Sequence, residues 1–330
     1  MYRVIAIFVS AFLVLAIIIG ALSNSDEDVY ADEEHVTYIE KPSFGEEAKK
    51  INKPTIENKT ESEHKTRQRL VLGEDSNTKK TSESENQTAN TTEKLISDAS
   101  VLLEIPRFVE PMNEQILKKT GYTLSYNNQT KCANWVAWHL TKEHSDGEWS
   151  RKGIPYMEDF DAMEPRQETQ DWKYNPKGYD HGHMCPAGDN KWSKEAMEDS
   201  FYLTNMCPQN RSLNGGDWKD LEEKCREWAY HYGSVYITCG PIFSNGMNET
   251  MGGNKEIWVP DSFYKVVLCM TNTPKCIGFI YPNSGKHHQM SFYACSVDQV
   301  EQATGIDFFY SLPDEIEEKI ESSFNFLDWR

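Results

Sequence analysis

The pattern of apolar and polar residues predicts a series of short strands in the later part of the chain. Alternating residues predict strands at Tyr122–Tyr126 and Val136–Leu140. Short, continuously apolar runs predict three more strands, at Ser234–Cys239, Phe263–Met270 and Cys276–Tyr281. The last two are expected to pair as a hairpin.

Helical patterns are interspersed among these strands. The strongest runs from Leu213 to about His231. Shorter helices are predicted at Lys194–Asp199, Val297–Ala303 and Asp314–Ser322. Because the helices are inserted among strands without regular β-α-β alternation, we predict an α+β fold.

One long apolar segment, Val4–Leu22, follows Arg3 and contains no charged residue. Its length suits a bilayer core, and a small-residue cleavage site follows it, so residues 1–23 are either a signal peptide or a membrane anchor. A buried core helix is the poorer alternative, because the segment is terminal and an acidic run comes next. The positive-inside rule then predicts an extracytoplasmic protein: secreted, periplasmic or membrane-anchored.

Residues 24–100 differ in composition from the rest of the chain. They are rich in Glu, Lys, Ser, Thr and Asn, and they contain neither cysteine nor tryptophan. Such a segment buries too little apolar surface to offset the entropy lost on ordering, so we predict a disordered acidic tether. All nine tryptophans and all eight cysteines fall within residues 101–330, which we predict to be the globular domain.

The charge balance limits how this protein can bind its partners. The whole chain carries a formal net charge of −18, and residues 101–330, with 34 acidic and 22 basic side chains, carry −12 of it. This balance disfavours binding of nucleic acid across the whole surface. A small cleft with a few cations can still hold one phosphate, which predicts weak and transient binding.

The cysteine count predicts disulfide bonds if the domain is exported. No Cys-x-x-Cys pair is present, so a zinc ribbon or finger has little support. Free, buried thiols are the alternative reading. The residues concerned are Cys132, Cys185, Cys207, Cys225, Cys239, Cys269, Cys276 and Cys295.

Four residues of the long predicted helix are spaced four apart: Asn214, Trp218, Glu222 and Arg226. They form one slowly winding stripe that is too polar for a core. One interpretation is a solvated face with a Glu–Arg pair. The other is a functional face, which Gly215-Gly216 favours. Two glycines cost about 1 kcal/mol each in a helix, so they are expected where backbone or a ligand has to approach closely.

Two histidines, His181 and His183, flank Gly182 directly after Asp180. Histidine is well suited to act as a base near neutral pH, and Gly182 suits a sharp turn that exposes the second imidazole. A structural loop or a metal-binding pair are the alternatives. The metal pair is the weaker one, because the Asp-His of the di-zinc hydrolases does not follow.

These residues together resemble the DNA/RNA non-specific endonucleases, the ββα-metal nucleases. The resemblance rests on Asp180-His-Gly-His183, Asn205-x-x-Pro-Gln209, Leu213-Asn214, Trp218, Leu221-Glu222 and Arg226, in order and with the family's spacing. Weaker similarity includes Asn134-Trp135, Gly240-Pro241-Ile-Phe243 and Tyr281-Pro-Asn283. The resemblance as a whole implies a ββα-metal (His-Me finger) nuclease with a central antiparallel sheet and a long active-site helix.

The resemblance also implies a role for each matching residue. His183 corresponds to the general base, Asn214 to the direct Mg²⁺ ligand, and Glu222 to a carboxylate that holds the ion through water. Arg226 corresponds to a phosphate-binding arginine and Asn205 to an asparagine that lines the site. Arg166 matches an upstream substrate-binding arginine by approximate spacing alone.

His181 departs from the family, which usually has Arg or Lys at this position. A histidine is only partly charged near pH 7. We therefore predict that activity peaks at a lower pH than in a His181→Arg variant.

The resulting expectation is an Mg²⁺-dependent endonuclease, with Mn²⁺ as a substitute, that cleaves DNA and RNA to give 5′-phosphate ends. The alternatives are a weak or inactive nuclease-fold binding module, a toxin-like effector nuclease, and a zinc or redox domain built on the cysteines. Residues 4–22, if retained, would add a membrane contact. The sequence leaves the oligomeric state open.

Overall fold

The structure of the protein, a computed structural model, describes residues 102–329 except residues 245, 248, 255 and 272. The predicted N-terminal segment (1–23) and tether (24–100), and the membrane contact expected of the former, lie outside the described residues. Within the described part, no helix is both long and apolar enough to cross a membrane.

A seven-stranded antiparallel sheet forms the centre of the domain, as the predicted fold class requires. Its order is β12-β11-β10-β7-β4-β3-β2. The strands are β2 (Gln115–Lys118), β3 (Thr123–Asn127), β4 (Cys132–Thr141), β7 (Ser234–Ile242), β10 (Ser262–Cys269), β11 (Lys275–Pro282) and β12 (Ala294–Cys295). Each predicted strand falls on one of these, and the predicted hairpin is confirmed by the β10–β11 pairing of Phe263 with Tyr281.

Six shorter strands form three two-stranded pairs: β1 with β13, β5 with β6, and β8 with β9. They are β1 (Arg107–Phe108), β5 (Asp180–His183), β6 (Met206–Gln209), β8 (Thr250–Met251), β9 (Ile257–Trp258) and β13 (Ile306–Asp307).

Both faces of the central sheet are covered, because the inner strands carry mostly apolar residues on both sides. On β10, Phe263 and Val267 face one core, and Tyr264 and Val266 face the other. This arrangement explains why β10 and its neighbours read as continuous apolar runs rather than as alternating ones.

The helices are α1 (Lys142–Ser145), α2 (Lys194–Asp199), α3 (Arg211–Gly215), α4 (Asp217–Tyr232), α5 (Met290–Tyr293), α6 (Val297–Thr304) and α7 (Asp314–Glu321). Short 3₁₀ segments lie at Asp171–Lys173, Ala187–Asp189, Leu203–Asn205 and Phe326–Trp329. α4 covers one face of the sheet with Trp218, Leu221 and Cys225. α6 and α7 cover the other face.

The predicted long helix is interrupted at Gly216, so Asn214 lies on α3 and the other three stripe residues lie on α4. A Cβ added at Gly216 would stand 2.6 Å from the Ser212 carbonyl oxygen and 2.9 Å from His287 Cε1. The stripe is also not polar throughout, because Trp218 is fully buried.

The predicted disulfides are wrong: all eight cysteines are free and buried. They occupy core positions as small apolar residues, and the neighbouring thiols of Cys132 and Cys207 are not joined. Burial raises the thiol pKa of Cys239 to about 11 and that of Cys225 to about 12, so these thiols stay protonated and unreactive at neutral pH.

Candidate active site

A β-hairpin followed by a helix brings most of the predicted residues together. β5 and β6 pair antiparallel with His183 opposite Met206 and Asp180 opposite Gln209. Asn210 then caps α3, accepting hydrogen bonds from the backbone of Ser212 (2.9 Å) and Leu213 (3.4 Å). α4 follows after the break at Gly216.

Asn283 fixes the junction between β6 and α3. Its Oδ1 accepts a hydrogen bond from the Asn210 backbone (2.7 Å), and its Nδ2 donates to the carbonyls of Pro208 (3.1 Å) and Pro260 (2.9 Å). The Tyr281-Pro-Asn283 similarity therefore has a structural basis. The asparagine ties the central sheet to the hairpin that carries the histidines.

Gly182 lies in a strand and not in the sharp turn expected from the sequence. A Cβ at Gly182 would stand 2.5 Å from atoms of the Gln209 side chain, so the close packing of β5 on β6 requires glycine. As a consequence the second imidazole is not exposed: His183 is only 8% accessible.

His183 has the properties of a neutral base. Its Nε2 is buried and lacks a hydrogen-bond partner among the described residues. The His181 backbone carbonyl hydrogen-bonds to the ring, and since Nε2 is unpartnered, the donor is Nδ1. Burial lowers the pKa of His183 to about 3, with a further contribution from Arg151. At neutral pH, Nε2 therefore carries a free lone pair.

His181 is held between two aromatic rings. Its ring centroid lies 3.9 Å from that of Tyr156 and 3.7 Å from that of Trp172, with all three rings nearly parallel. Burial lowers the pKa of His181 to about 4. This corrects the expectation of a partly charged side chain, since the stacked ring is neutral at pH 7.

Asp180 links the hairpin to the helix, a role that the sequence did not predict. Its Oδ2 accepts a hydrogen bond from Asn214 Nδ2 (3.1 Å), and its Oδ1 accepts one from Arg211 Nε (3.1 Å). The amide nitrogen of Asn214 is thereby fixed toward β5. The Oδ1 of Asn214 accepts no hydrogen bond from the described residues and is left free for a ligand.

Asn205 lies beneath the hairpin and not on the surface of the site. It is fully buried. Its Nδ2 donates to the carbonyls of Cys185 (2.8 Å) and Ser200 (2.9 Å), and its Oδ1 accepts from the Cys185 backbone (2.9 Å). All of these bonds are to backbone atoms, so Asn205 fixes the chain directly after His183.

Glu222 lies half-buried on α4, and its carboxylate has no hydrogen-bond partner within the described part of the chain. Burial raises its pKa to about 7, although the nearby Lys265 lowers it. Lys265 is fully buried on β10, with its Nζ 4.5 Å from the Trp218 ring centroid and 5.0 Å from that of Trp138. Like the role of Asp180, this residue was not predicted from the sequence. A lysine within an apolar strand could have indicated it.

Arg226 is positioned by a buried carboxylate. Its Nη1 donates to Asp189 Oδ1 (2.9 Å), and Trp138 Nε1 donates to the second oxygen of Asp189 (3.1 Å). Burial raises the pKa of Asp189, and the adjacent Arg226 lowers it. The ion pair orients the guanidinium while leaving it partly accessible.

Arg151 lies beside His183, whereas the predicted Arg166 is engaged by other residues. Arg166 forms an ion pair with Glu164, and its guanidinium lies 4.8 Å from the Phe160 ring centroid. The exposed Arg151 lies over Phe201, which itself contacts the His183 ring edge-on at 5.2 Å between centroids. Its charge lowers the pKa values of both His183 and Glu222. No local pattern marks Arg151 in the sequence.

The donor set fits a hard divalent cation. Asn214 offers an amide oxygen and Glu222 a carboxylate, the ligands that Mg²⁺ prefers while keeping several waters. By contrast, no cysteine within the described residues belongs to a cluster of three or more possible metal ligands. The alternative of a zinc or redox cysteine domain therefore has no support in the described structure.

Comparison with known proteins finds similarity to nucleases. The DNA/RNA non-specific endonuclease family matches residues 102–315, which is more than half of the chain. "Nuclease EXOG, mitochondrial" of Danio rerio is 33% identical over 207 residues, covering 58% of this chain and 60% of that protein. "Endonuclease G, mitochondrial" of Bos taurus is 27% identical over 217 residues, covering 62% and 72%. The chain thus spans less than two thirds of the length of its EXOG relatives.

A solved structure shows the same fold. A crystal structure titled as the EndoG/EndoGI complex and the mechanism of EndoG inhibition matches with a TM-score of 0.56 and 26% identity, over 62% of this chain and 89% of that one. The predicted ββα-metal nuclease fold is confirmed by this neighbour and by the family match.

The predicted extracytoplasmic location is contradicted. The relatives are named as mitochondrial nucleases, and the cysteines that were expected to pair in an exported domain are free thiols. The predicted family, in contrast, is confirmed: this chain belongs to the DNA/RNA non-specific endonuclease family.

Proposed function

We propose that this chain is an Mg²⁺-dependent endonuclease that hydrolyses phosphodiester bonds of DNA and RNA and leaves 5′-phosphate ends. One observation carries the proposal. His183 presents a buried, unpartnered Nε2 on the same strand whose Asp180 fixes the Asn214 amide. A neutral base and an oriented oxygen ligand on adjoining elements are what hydrolysis of a phosphodiester requires.

His183 would act as the general base. Its Nε2 takes a proton from the water that attacks phosphorus, while the bond from Nδ1 to the His181 carbonyl fixes the tautomer and stabilises the imidazolium that forms. Burial keeps the base deprotonated before substrate arrives. The negative charge of a bound phosphate would then raise its proton affinity during the reaction.

Asn214 Oδ1, directly, and Glu222, through water, would hold Mg²⁺, with Mn²⁺ as a substitute. When bound, the ion neutralises the charge that develops on the phosphate and on the leaving 3′ oxygen. Asp180 would keep Asn214 turned toward the ion by holding its amide nitrogen.

Two arginines would bind the phosphate. Arg226 is aimed by Asp189, and Arg151 is exposed beside His183. Arg151 also borders a groove of about 300 Å³ whose lining includes Trp149, Gly188 and Lys191. A groove with cations and an accessible indole suits a flanking nucleotide, because bases stack on aromatic rings irrespective of sequence.

The decisive experiment is plasmid and RNA cleavage with Mg²⁺, with EDTA, and with His183→Ala. We expect EDTA to abolish cleavage and His183→Ala to reduce it by about 10²- to 10⁴-fold, the usual contribution of a positioned base. Phosphate at the 5′ ends of the fragments would establish which bond is cleaved.

His231→Ala is the matched control, because His231 is an exposed histidine on α4. It should leave the rate unchanged. Full activity in His183→Ala would overturn the assigned base. A folded wild type that cleaves nothing across several metals and pH values would instead favour an inactive binding module.

A further inference from the structure

Three carboxylates converge where the two C-terminal helices meet. Asp298 and Glu301 lie on α6, and Glu321 is the last residue of α7. One oxygen from each lies within 4.8 Å of the other two. α6 and α7 pack on the face of the sheet opposite α4, so this carboxylate cluster is separate from the candidate active site.

Glu321 is the member that requires explanation. It is 4% exposed, and its Oε1 is buried without a hydrogen-bond partner among the described residues. A buried carboxylate without a partner is strongly unfavourable unless a proton or a cation compensates it. Glu321 also ends its helix, where the helix dipole disfavours a negative charge and favours a positive one.

No basic side chain neutralises the carboxylate cluster. Within the described residues, none of its three members forms an ion pair, and Arg107 pairs with Asp307 instead, at 2.7 Å between Nη2 and Oδ2. Burial, and then the neighbouring acids, raise the pKa of Glu321 to about 10. The described part of the protein therefore supplies no positive charge to the cluster, and a proton or a cation has to take that place.

The donor atoms indicate the class of cation. All are carboxylate oxygens, which select hard ions over zinc or copper. Ca²⁺ accepts several carboxylate oxygens together with waters in a flexible geometry, whereas Mg²⁺ is usually held by one or two carboxylates, so three converging carboxylates favour Ca²⁺. Asp298 is exposed and Glu301 is half-buried, so water can reach the cluster and complete the coordination shell.

We propose that Asp298, Glu301 and Glu321 form a calcium-binding site that ties α6 to α7. Both helices pack against β11, so bound calcium would hold the C-terminal part of the domain onto the central sheet. The site has a structural role and does not depend on the proposed nuclease activity. Without calcium, Glu321 takes up a proton.

The test measures the thermal unfolding midpoint of the full chain in EGTA and in millimolar CaCl₂. All proteins carry Asn214→Ala, which removes the direct ligand of the active-site ion and with it calcium binding there. We expect calcium to raise the Tm of this parent. Glu321→Gln should lose the shift, and its Tm in EGTA should exceed that of the parent, because glutamine does not have to take up a proton when the chain folds.

Two further variants keep the result interpretable. Glu318→Gln, exposed on the same helix, should keep the full calcium shift. The double variant Asp298→Asn/Glu301→Gln, altered at the accessible side chains, should lose it. An equal shift in Glu321→Gln and Glu318→Gln would overturn the proposal. So would a parent whose Tm does not respond to calcium, which would mean that protons alone neutralise the three carboxylates.

Discussion

At the scale of single residues, the ionisation of Glu222 depends on the buried ammonium of Lys265. Burial raises its pKa to about 7, and this value already includes the opposing effect of Lys265. The Lys265 ammonium lies against two indole rings and beside the Cys239 thiol. Because tryptophan faces attract cations, this pocket can hold the ammonium without a dedicated counter-ion. Lys265 thus helps Glu222 to ionise near neutral pH.

The raised pKa of Glu222 predicts that Mg²⁺ binding depends on pH. Below pH 7 the carboxyl is mostly protonated, and a cation has to displace the proton. The apparent affinity for Mg²⁺ should therefore rise about tenfold from pH 6 to pH 8 and level off above that range. Titration calorimetry in two buffers of different ionisation enthalpy would also detect the proton released.

Glu222→Gln should bind Mg²⁺ more weakly and without this pH dependence. Glu223→Gln is the control, because Glu223 is an exposed neighbour whose carboxylate pairs with Lys219 at 3.4 Å. A wild-type affinity that is constant between pH 6 and pH 8 would contradict the assignment.

At the scale of elements, the interruption between α3 and α4 places Asn214 and Glu222 on separate helices. The segment after β11 holds this interruption in place. Asp217, at the start of α4, bonds to His287 Nδ1 (2.9 Å) and to the Tyr293 hydroxyl (3.0 Å). His287 packs directly against Gly216, so a side chain at position 216 would have no room.

The two adjacent glycines should respond oppositely to alanine. A Cβ at Gly216 would collide with backbone oxygen, whereas a Cβ at Gly215 meets nothing within 4 Å. Gly216→Ala should lower the free energy of unfolding by about 1–3 kcal/mol. Gly215→Ala should be neutral or raise it by up to about 1 kcal/mol, because alanine is the better helix former.

Urea unfolding of both glycine variants measures these changes, and Mg²⁺ titration then shows whether Asn214 has moved. Gly216→Ala should weaken Mg²⁺ binding as well as stability. If both variants have the same stability as the wild type, the break at Gly216 is not enforced by close packing.

Patterns within an element were predictable from sequence, whereas contacts between distant elements were not. The runs at Phe263 and Cys276 predicted the central hairpin, because a strand buried on both faces is made mostly of apolar residues. Arg151 was missed because it lies in an irregular segment and reaches His183 only through tertiary packing. The disulfides were wrong because a cysteine count does not distinguish small apolar core residues from paired ones.

At the scale of the whole molecule, the net charge of −18 sets the character of binding. The cations around the site are few, and most are shared with carboxylates. Arg226 pairs with Asp189, and Arg211 pairs with Asp180. His181 adds no charge at neutral pH, since its pKa lies near 4. We therefore expect weak binding to DNA with a shallow dependence on salt, because few counterions are released.

His181→Arg adds one positive charge to the site and should make the salt dependence of DNA binding steeper. A guanidinium is planar and stacks well on aromatic rings, so it can replace the imidazole between Tyr156 and Trp172. The slope of log K against log salt for duplex DNA should steepen by about 0.9. Because His181 gains its own charge only in acid, the variant's advantage in activity should be largest near pH 7 and shrink toward pH 4, which moves its optimum above that of the wild type.

Binding is best measured by fluorescence anisotropy in Ca²⁺ or EDTA, where cleavage is suppressed, and activity in Mg²⁺ from pH 4.5 to 8.5. His231→Arg places the same charge on the exposed end of α4 and serves as the control. Since both variants change the net charge equally, a steeper slope in His181→Arg alone locates the phosphate at the His181 stack. Identical slopes in the two variants would mean that only net charge matters, and identical pH profiles in the wild type and His181→Arg would place position 181 outside the substrate's reach.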